Sequence, residues 1–99
     1  MIGLIARLKI KPGKEQAFEA AFRDLAKYVT DDKVEPGNQL YTLCKSRTDA
    51  NLYVVMELYT DQAAVDAHAK TKHFTEAWPT LSDCMEPGPP DFEFIDAVE

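Results

Sequence analysis

The chain lacks the positive charge and the long hydrophobic runs that two large classes of protein require. Its 99 residues carry 11 Lys and Arg against 17 Asp and Glu, and the basic residues are scattered. A nucleic-acid phosphate backbone would be repelled by such a surface. No run approaches the ~20 apolar residues of a membrane span, and Arg7 introduces a charge too early for a signal peptide. We therefore expect a cytoplasmic protein that binds neither nucleic acid nor membrane.

Glycine and cysteine are also sparse. The four glycines are isolated, so the chain has neither a GxGxxG loop nor a phosphate-binding P-loop. Cys44 and Cys84 lie 40 residues apart without a CxxC pair. In a reducing compartment this spacing favours two free thiols, buried or half-buried, although a disulfide or a catalytic thiol stays open. A GxSxG nucleophile elbow is missing as well, so the sequence gives no support for nucleotide binding or nucleophilic catalysis.

The hydrophobic pattern that is present changes period along the chain and predicts one domain over residues 1–99. Residues 2–10 alternate with a period of two, which indicates a strand. Residues 14–30 then repeat apolar side chains at helical spacing, and Asp31 and Asp32 end that helix because they would oppose its dipole. Residues 40–44 and 52–59 are strand-like and flank a polar loop, so they predict a hairpin.

The second half predicts two helical pieces and a last strand. Asp61 and Thr71 are suitable N-caps for them, and Pro79 should kink or shorten the second. Residues 86–90 form a proline-rich linker before a short strand at 92–96. The order strand, helix, strand, strand, helix, strand predicts an α+β, ferredoxin-like βαββαβ fold with a four-stranded antiparallel sheet. Residues 52–59 are apolar on both faces, so we expect a second copy to cover the sheet face that the helices leave open, giving a homodimer.

The two histidines, His68 and His73, invite comparison with a metal site. Paired helical ligands usually lie three or four positions apart, whereas five positions place these side chains about 140° apart on a continuous helix. With no third histidine in the chain, we expect no metal. His68 ends the first helical piece and could be a helix-end histidine or a base, while His73 is expected to face solvent.

Glu57 is the one charge between Leu52 and Thr60. A carboxylate among such neighbours either lies on a solvated strand face or lies in a pocket, where burial raises its pKa and it could orient a histidine. Phe74 and Trp78 are most simply core residues, but large flat side chains also suit the lining of an aromatic ligand's pocket.

Several segments together resemble the antibiotic biosynthesis monooxygenase family, whose fold is a dimeric α+β barrel. They are IARLKIKPGKEQAFEAAF, EPGNQLYTL, YVVMELYTDQAAVDAH and HAKTKHF, and the most diagnostic series is Glu57, Tyr59, Asp61, Ala67, His68, His73 and Phe74. The resemblance implies oxidation of a small phenol, quinol or quinone-like ligand by O2 without flavin, haem or metal. His68 would be the base, since an unperturbed imidazole titrates near neutral pH, and Glu57 would orient it or stabilise its cation. The substrate contacts it suggests are Asn38, Tyr41, Tyr59, His73, Phe74 and Trp78.

The resemblance also contains departures and alternatives. The haem-degrading branch has an asparagine and a histidine where this chain has Arg7 and Trp78, which disfavours haem degradation. Tyr59 stands where tryptophan is more common, and Lys72 replaces a proline. The segment ELYTDQAAVDAH also resembles an isomerase that processes a phosphorylated autoinducer, and the same His68 and Glu57 could transfer its protons. A non-catalytic, ligand-binding dimer is the third possibility.

Overall fold

The computed structural model describes residues 1–89 and 91–99, and within them the chain forms four strands and three helices. In chain order these are β1 (Ile2–Lys9), α1 (Glu15–Val29), β2 (Asn38–Lys45), β3 (Leu52–Tyr59), α2 (Gln62–Lys70), α3 (Lys72–Asp83) and β4 (Asp91–Asp96). The sheet order is β2-β3-β1-β4, and all neighbours are antiparallel. The predicted ferredoxin-like fold is confirmed. Pro90, the last residue of the predicted linker, lies outside the described residues.

The helix ends follow the predicted capping residues. The helix α1 stops at Val29, just before the two aspartates. Asp61 accepts a hydrogen bond of 2.9 Å from the backbone N–H of Ala64. Thr71 accepts one of 3.3 Å from the N–H of Phe74, so α2 and α3 are separate helices joined at that threonine.

Pro79 was expected to kink or to shorten the second helical piece, and it does not shorten α3. The helix continues to Asp83. A proline removes one backbone N–H donor, and the burial of Leu81, which is 4% exposed, fixes the turn that follows. Packing of the apolar stripe therefore outweighs the loss of one hydrogen bond.

One sheet face carries the core and the other face is open. Alternate side chains of β1 and β3 pack against the buried stripe of α1, and this cluster includes Ala6, Leu8, Tyr53, Val55, Phe18, Phe22, Leu25 and Val29. On the opposite face Ile5 lies across from Met56, which is 40% exposed. The expectation that β3 is apolar on both faces is therefore correct, and the face bearing Met56 has no cover within the described chain.

The remaining sequence expectations concern thiols and membranes. Both cysteines are free; Cys84 is buried and Cys44 is half-buried, as predicted. Among residues 1–89 and 91–99, no helix combines the length and the apolar character that a membrane crossing needs.

Candidate active site

Glu57 and Tyr59 lie two positions apart on β3, so both side chains point to the helix-covered face. The Tyr59 hydroxyl donates a hydrogen bond of 2.6 Å to Oε1 of Glu57. Burial raises the pKa of Glu57; the Tyr59 hydrogen bond and the charge of His68 oppose the shift, and the charge of Glu35 adds to it. Glu57 therefore holds a proton more readily than an exposed glutamate does.

His68 lies in the last turn of α2 and points inward. It is 7% exposed, and its Nε2 is 4.0 Å from Oε1 of Glu57. Three aromatic rings surround the imidazole, with centroid distances of 5.6 Å to Tyr41, 5.5 Å to Tyr59 and 5.0 Å to Phe74. The fold thus brings His68 and Glu57 together at the sheet surface.

The partner that fixes the imidazole is a second glutamate, which the sequence analysis assigned no role. Glu35 lies in the loop between α1 and β2, is 7% exposed, and places its two carboxylate oxygens 2.9 and 3.1 Å from Nδ1 of His68. When Nδ1–H of the neutral ring donates to this carboxylate, Nε2 carries the free lone pair, and it lies on the Glu57 side. The ring therefore has a base-competent nitrogen aimed away from Glu35.

His73 shares the same carboxylate. Its Nε2 lies 2.5 Å from Oε2 of Glu35, and its ring stacks on Tyr28 with centroids 5.4 Å apart. The expectation that His73 faces solvent is wrong: its side chain is 12% exposed. The angle of about 140° applies to a continuous helix, whereas the junction at Thr71 redirects α3 and lets both rings converge on Glu35.

The two histidines also determine the charge of Glu35. Burial acts to raise the pKa of Glu35, but the hydrogen bonds and charges of His68 and His73 outweigh it, so that pKa lies below its usual range. Glu35 is consequently a carboxylate held between two imidazole rings. Within the described ranges, no group of three or more His, Cys, Asp or Glu side chains is arranged to hold a metal ion.

A cavity of about 200 Å³ opens beside His68, between the sheet and the helices. Six of the predicted site residues line it, namely Tyr41, Glu57, Tyr59, His68, Phe74 and Trp78. Trp78 is 39% exposed and lies at its wall rather than filling it. Burial, followed by the nearby carboxylates Glu57 and Glu35, raises the pKa of Tyr41 and of Tyr59, so both hydroxyls stay protonated at neutral pH.

The other two predicted contacts lie elsewhere. Asn38 is buried, and its side-chain amide donates a hydrogen bond of 3.0 Å to the carbonyl of Leu40, where the β2–β3 register shifts. This bond belongs to the strand irregularity, and Asn38 is not part of the described cavity lining. His73 lines a groove on the outer side of the helices instead.

Gly37 sets the distance between the Glu35 loop and α2. A Cβ at this position would lie 2.4 Å from Cβ of Ala64 and 3.2 Å from Oγ1 of Thr60. The carbonyl of Gly37 also accepts a hydrogen bond of 2.9 Å from the N–H of Thr60. This close approach allows Glu35 to reach His68.

Gly37→Ala is expected to lower the free energy of unfolding by about 1–3 kcal/mol, because a rigid methyl group would be forced against a helix. Ala64→Gly alone should cost about 1 kcal/mol, the usual effect of glycine in a helix. In the Ala64→Gly background, Gly37→Ala should cost much less than it does alone, as chemical denaturation of the four proteins would measure. Two losses that simply add would contradict the steric account.

Comparison with known proteins identifies the family of the chain. The sequence profile described as "Antibiotic biosynthesis monooxygenase" matches residues 1–79. The YcnE protein of Bacillus subtilis (strain 168) is 34% identical over 74 residues, which is 75% of each chain. An isomerase of (4S)-4-hydroxy-5-phosphonooxypentane-2,3-dione from Yersinia enterocolitica is 27% identical over 81 residues, covering 82% of this chain and 81% of the enzyme.

A solved structure is similar over nearly the whole chain. A crystal structure from Caulobacter crescentus CB15 that carries the same family name is 40% identical, with a TM-score of 0.91 over 99% of this chain and 90% of that one. The profile match, the identity to the Bacillus protein and this structural agreement together place the chain in the antibiotic biosynthesis monooxygenase family.

Proposed function

We propose that the protein oxidises a small aromatic phenol or quinol with O2 and needs no bound cofactor, with His68 as the base. The observation that carries this proposal is the cavity, which combines one imidazole nitrogen and one carboxyl group with a mostly apolar wall. Its volume of about 200 Å³ is smaller than the ~300–1,000 Å³ typical of drug-sized ligands, which suits a compact ring system.

The first step is removal of the phenolic proton. The hydroxyl would lie against Nε2 of His68, and its proton would pass to that nitrogen. Glu35 at Nδ1 stabilises the resulting imidazolium, 2.9 Å away. Glu57 lies on the substrate side of the ring, 4.0 Å from Nε2, and we assign to it the orientation of the hydroxyl. This division of roles differs from the sequence expectation, in which Glu57 alone supported His68.

The second step is reduction of O2 by the phenolate itself. In a phenol, one oxygen atom becomes a carbonyl at the ring carbon opposite the hydroxyl, and the other leaves as water with the phenolic hydrogen and the hydrogen of that carbon. In a quinol, where that carbon already carries a hydroxyl, one oxygen atom becomes a hydroxyl at an unsubstituted ring carbon, and the other leaves as water with the two quinol hydrogens. The substrate supplies all the electrons, and the protein supplies the base, the position of the ring and dry surroundings.

The polarity of the wall also bears on the isomerase alternative. Among the described residues that line the cavity there is no Lys or Arg that could bind a phosphate. A phosphorylated substrate is therefore the less suitable occupant. Rearrangement of a phosphorylated dihydroxy-ketone without oxygen by the purified protein would reverse this preference.

Oxygen uptake by dialysed, chelator-treated protein against a panel of hydroquinones and naphthoquinols tests the proposal. Ala69→Phe is designed to obstruct the cavity at its exposed rim, where Ala69 lies, and Ala67→Phe is its matched control, because Ala67 is exposed on the same helix but does not line the cavity. Uptake should persist in Ala67→Phe and fall sharply in Ala69→Phe. A panel that gives no uptake with the wild-type protein, or equal uptake in both variants, would refute the proposed function.

We also propose that the protein is a homodimer whose subunits meet through the open sheet face. Ile5, Met56 and Ile95 are among the apolar side chains on that face, and Ile95 is 43% exposed. Removing such a surface from water would stabilise a small domain. Light scattering at micromolar concentration should return about 22 kDa, twice the 11.1 kDa of one chain.

Met56→Glu would place a charge in that interface and should halve the mass, whereas Ala63→Glu on the exposed surface of α2 should not. A wild-type mass of one chain, or a Met56→Glu protein that keeps the wild-type mass, would contradict the proposed dimer.

A further inference from the structure

Glu35 joins two places that the fold otherwise separates. One carboxylate oxygen is 2.9 Å from His68, which lines the inner cavity, and the other is 2.5 Å from His73, which lines a groove of about 550 Å³ between α1 and α3. We call this second depression the outer groove; its described lining includes Asp24, Tyr28, Lys72, His73, Glu76 and Thr80. A single buried carboxylate thus connects the cavity to the opposite side of the helix layer.

Each imidazole has a second nitrogen that is free to exchange a proton. Among the described residues, the hydrogen bonds of both rings go to Glu35, and Nε2 of His68 and Nδ1 of His73 have no hydrogen-bond partner. Among the described residues, the fully buried side-chain N or O atom that lacks a hydrogen-bond partner is Oε1 of Glu15. The two unpartnered imidazole nitrogens are therefore not fully buried, and neither is sealed from solvent. Nε2 opens to the cavity and Nδ1 of His73 opens on the groove side.

Charge balance couples the two rings. One carboxylate neutralises one imidazolium, and a second cation held against the same carboxylate is destabilised by the first. Protonation of one ring therefore favours loss of a proton from the other.

We propose that His73 is a positioning residue for the base: before the reaction His73 is the imidazolium and His68 is neutral, and His73 releases a proton from Nδ1 to solvent when His68 accepts one at Nε2 in the cavity. The inference rests on the proposed function of His68. One proton enters at Nε2 of His68 and one leaves at Nδ1 of His73. Glu35 remains a carboxylate throughout, so the net charge of the three groups is unchanged.

Other ionisable groups lie near the two rings, and none of them is changed in the variants of the test. Around His68 they are Glu57 and Tyr59 on β3 and Tyr41 on β2. In the outer groove they are Asp24 and Tyr28 on α1 and Lys72 and Glu76 on α3. Lys72 and Glu76 pair with each other at 3.8 Å, which reduces their combined field at His73.

The test is a titration of the imidazole nitrogens by ¹⁵N NMR in the full-length protein without substrate. In His73→Gln, which keeps a hydrogen-bond donor near Glu35 but cannot gain a proton, the midpoint of His68 should rise by about one pH unit. A purely structural role for His73 would predict the opposite, because a misplaced Glu35 stabilises the imidazolium less. Thr80→Ala in the same groove is the control and should leave the midpoint unchanged.

An unchanged or lowered midpoint in His73→Gln overturns the inference. If that variant does not fold, the wild-type protein decides: each ring should show a two-step titration in which its neighbour's protonation is visible, and two independent single steps overturn the coupling. Because these readouts need no turnover, the coupling can fail while oxygen uptake persists, or hold while uptake is absent. The failures of the two proposals are therefore distinguishable.

Discussion

His68→Gln is expected to lower kcat for oxidation of an accepted quinol by about 10²–10⁴-fold, the usual contribution of a positioned general base. Glutamine keeps a polar group of similar reach beside Glu35 but has no lone pair of comparable basicity at the position of Nε2. KM should change much less than kcat, because the aromatic and aliphatic wall that holds the ring is retained. Initial rates of oxygen consumption across a range of substrate concentrations would measure both constants.

The matched control for this prediction is Lys70→Gln, which changes an exposed side chain two residues further along the same helix. It should leave kcat within about twofold of wild type. A His68→Gln protein that is folded and oxidises the quinol at the wild-type rate would show that His68 is not the base, whether or not the cavity binds the quinol.

Glu35→Gln is expected to lower the free energy of unfolding at pH 7 by about 3 kcal/mol, because it removes the charged partner of two largely buried imidazoles. The sign of the pH dependence follows from the pKa of Glu35, which is lowered in the folded state. Such a group stabilises the fold above its unfolded pKa, and that stabilisation is lost as the pH falls through the lower, folded value. The difference between wild type and Glu35→Gln should therefore shrink in acid, below about pH 4.5.

Urea denaturation from pH 3 to pH 8 would show this behaviour, with Glu86→Gln at an exposed position as the control. Glu57 has the opposite sign: its folded pKa is raised, so its contribution is lost as the pH rises through that value. A Glu35→Gln deficit that grows in acid, or that is absent at pH 7, would contradict the assignment of Glu35 as a charged carboxylate between the rings.

The fold was predictable because its determinants are local. The helical stripe from Phe18 to Val29 and the alternation in residues 2–10 each repeat several times, so one ambiguous residue does not change the interpretation. The caps Asp61 and Thr71 act on backbone groups three residues away. Even the joint between α2 and α3 follows from a hydroxyl at the right position.

The candidate site was predictable in part. His68 and Glu57 stood out as titratable residues within apolar or helix-end surroundings, and the fold brings them to 4.0 Å. Glu35 gave no such signal, since it precedes Pro36 and Gly37 in a segment with ordinary turn composition. Its burial depends on tertiary packing: Gly37 lies against Ala64, and this contact carries the loop onto α2.

His73 was misjudged for a related reason. Its position next to Lys72 at the start of a helix suggests a solvated side chain. The direction of a helix after a break is set by what it packs against, and here α3 packs against α1. A signal that could have helped is the pair of histidines itself, because two imidazoles near one helix joint invite a search for a shared acid elsewhere in the chain.

We propose that the cavity beside His68 holds a phenol or quinol that reacts directly with O2, so the origin of the oxygen in the product is decisive. The most direct measurement is mass spectrometry of the product formed under ¹⁸O2 by chelator-treated protein in the absence of added cofactor. One ¹⁸O atom should appear in the product and the second in water, and His68→Gln should form little of either labelled species in the same time. A product that forms without oxygen, or one that carries no ¹⁸O, would contradict it.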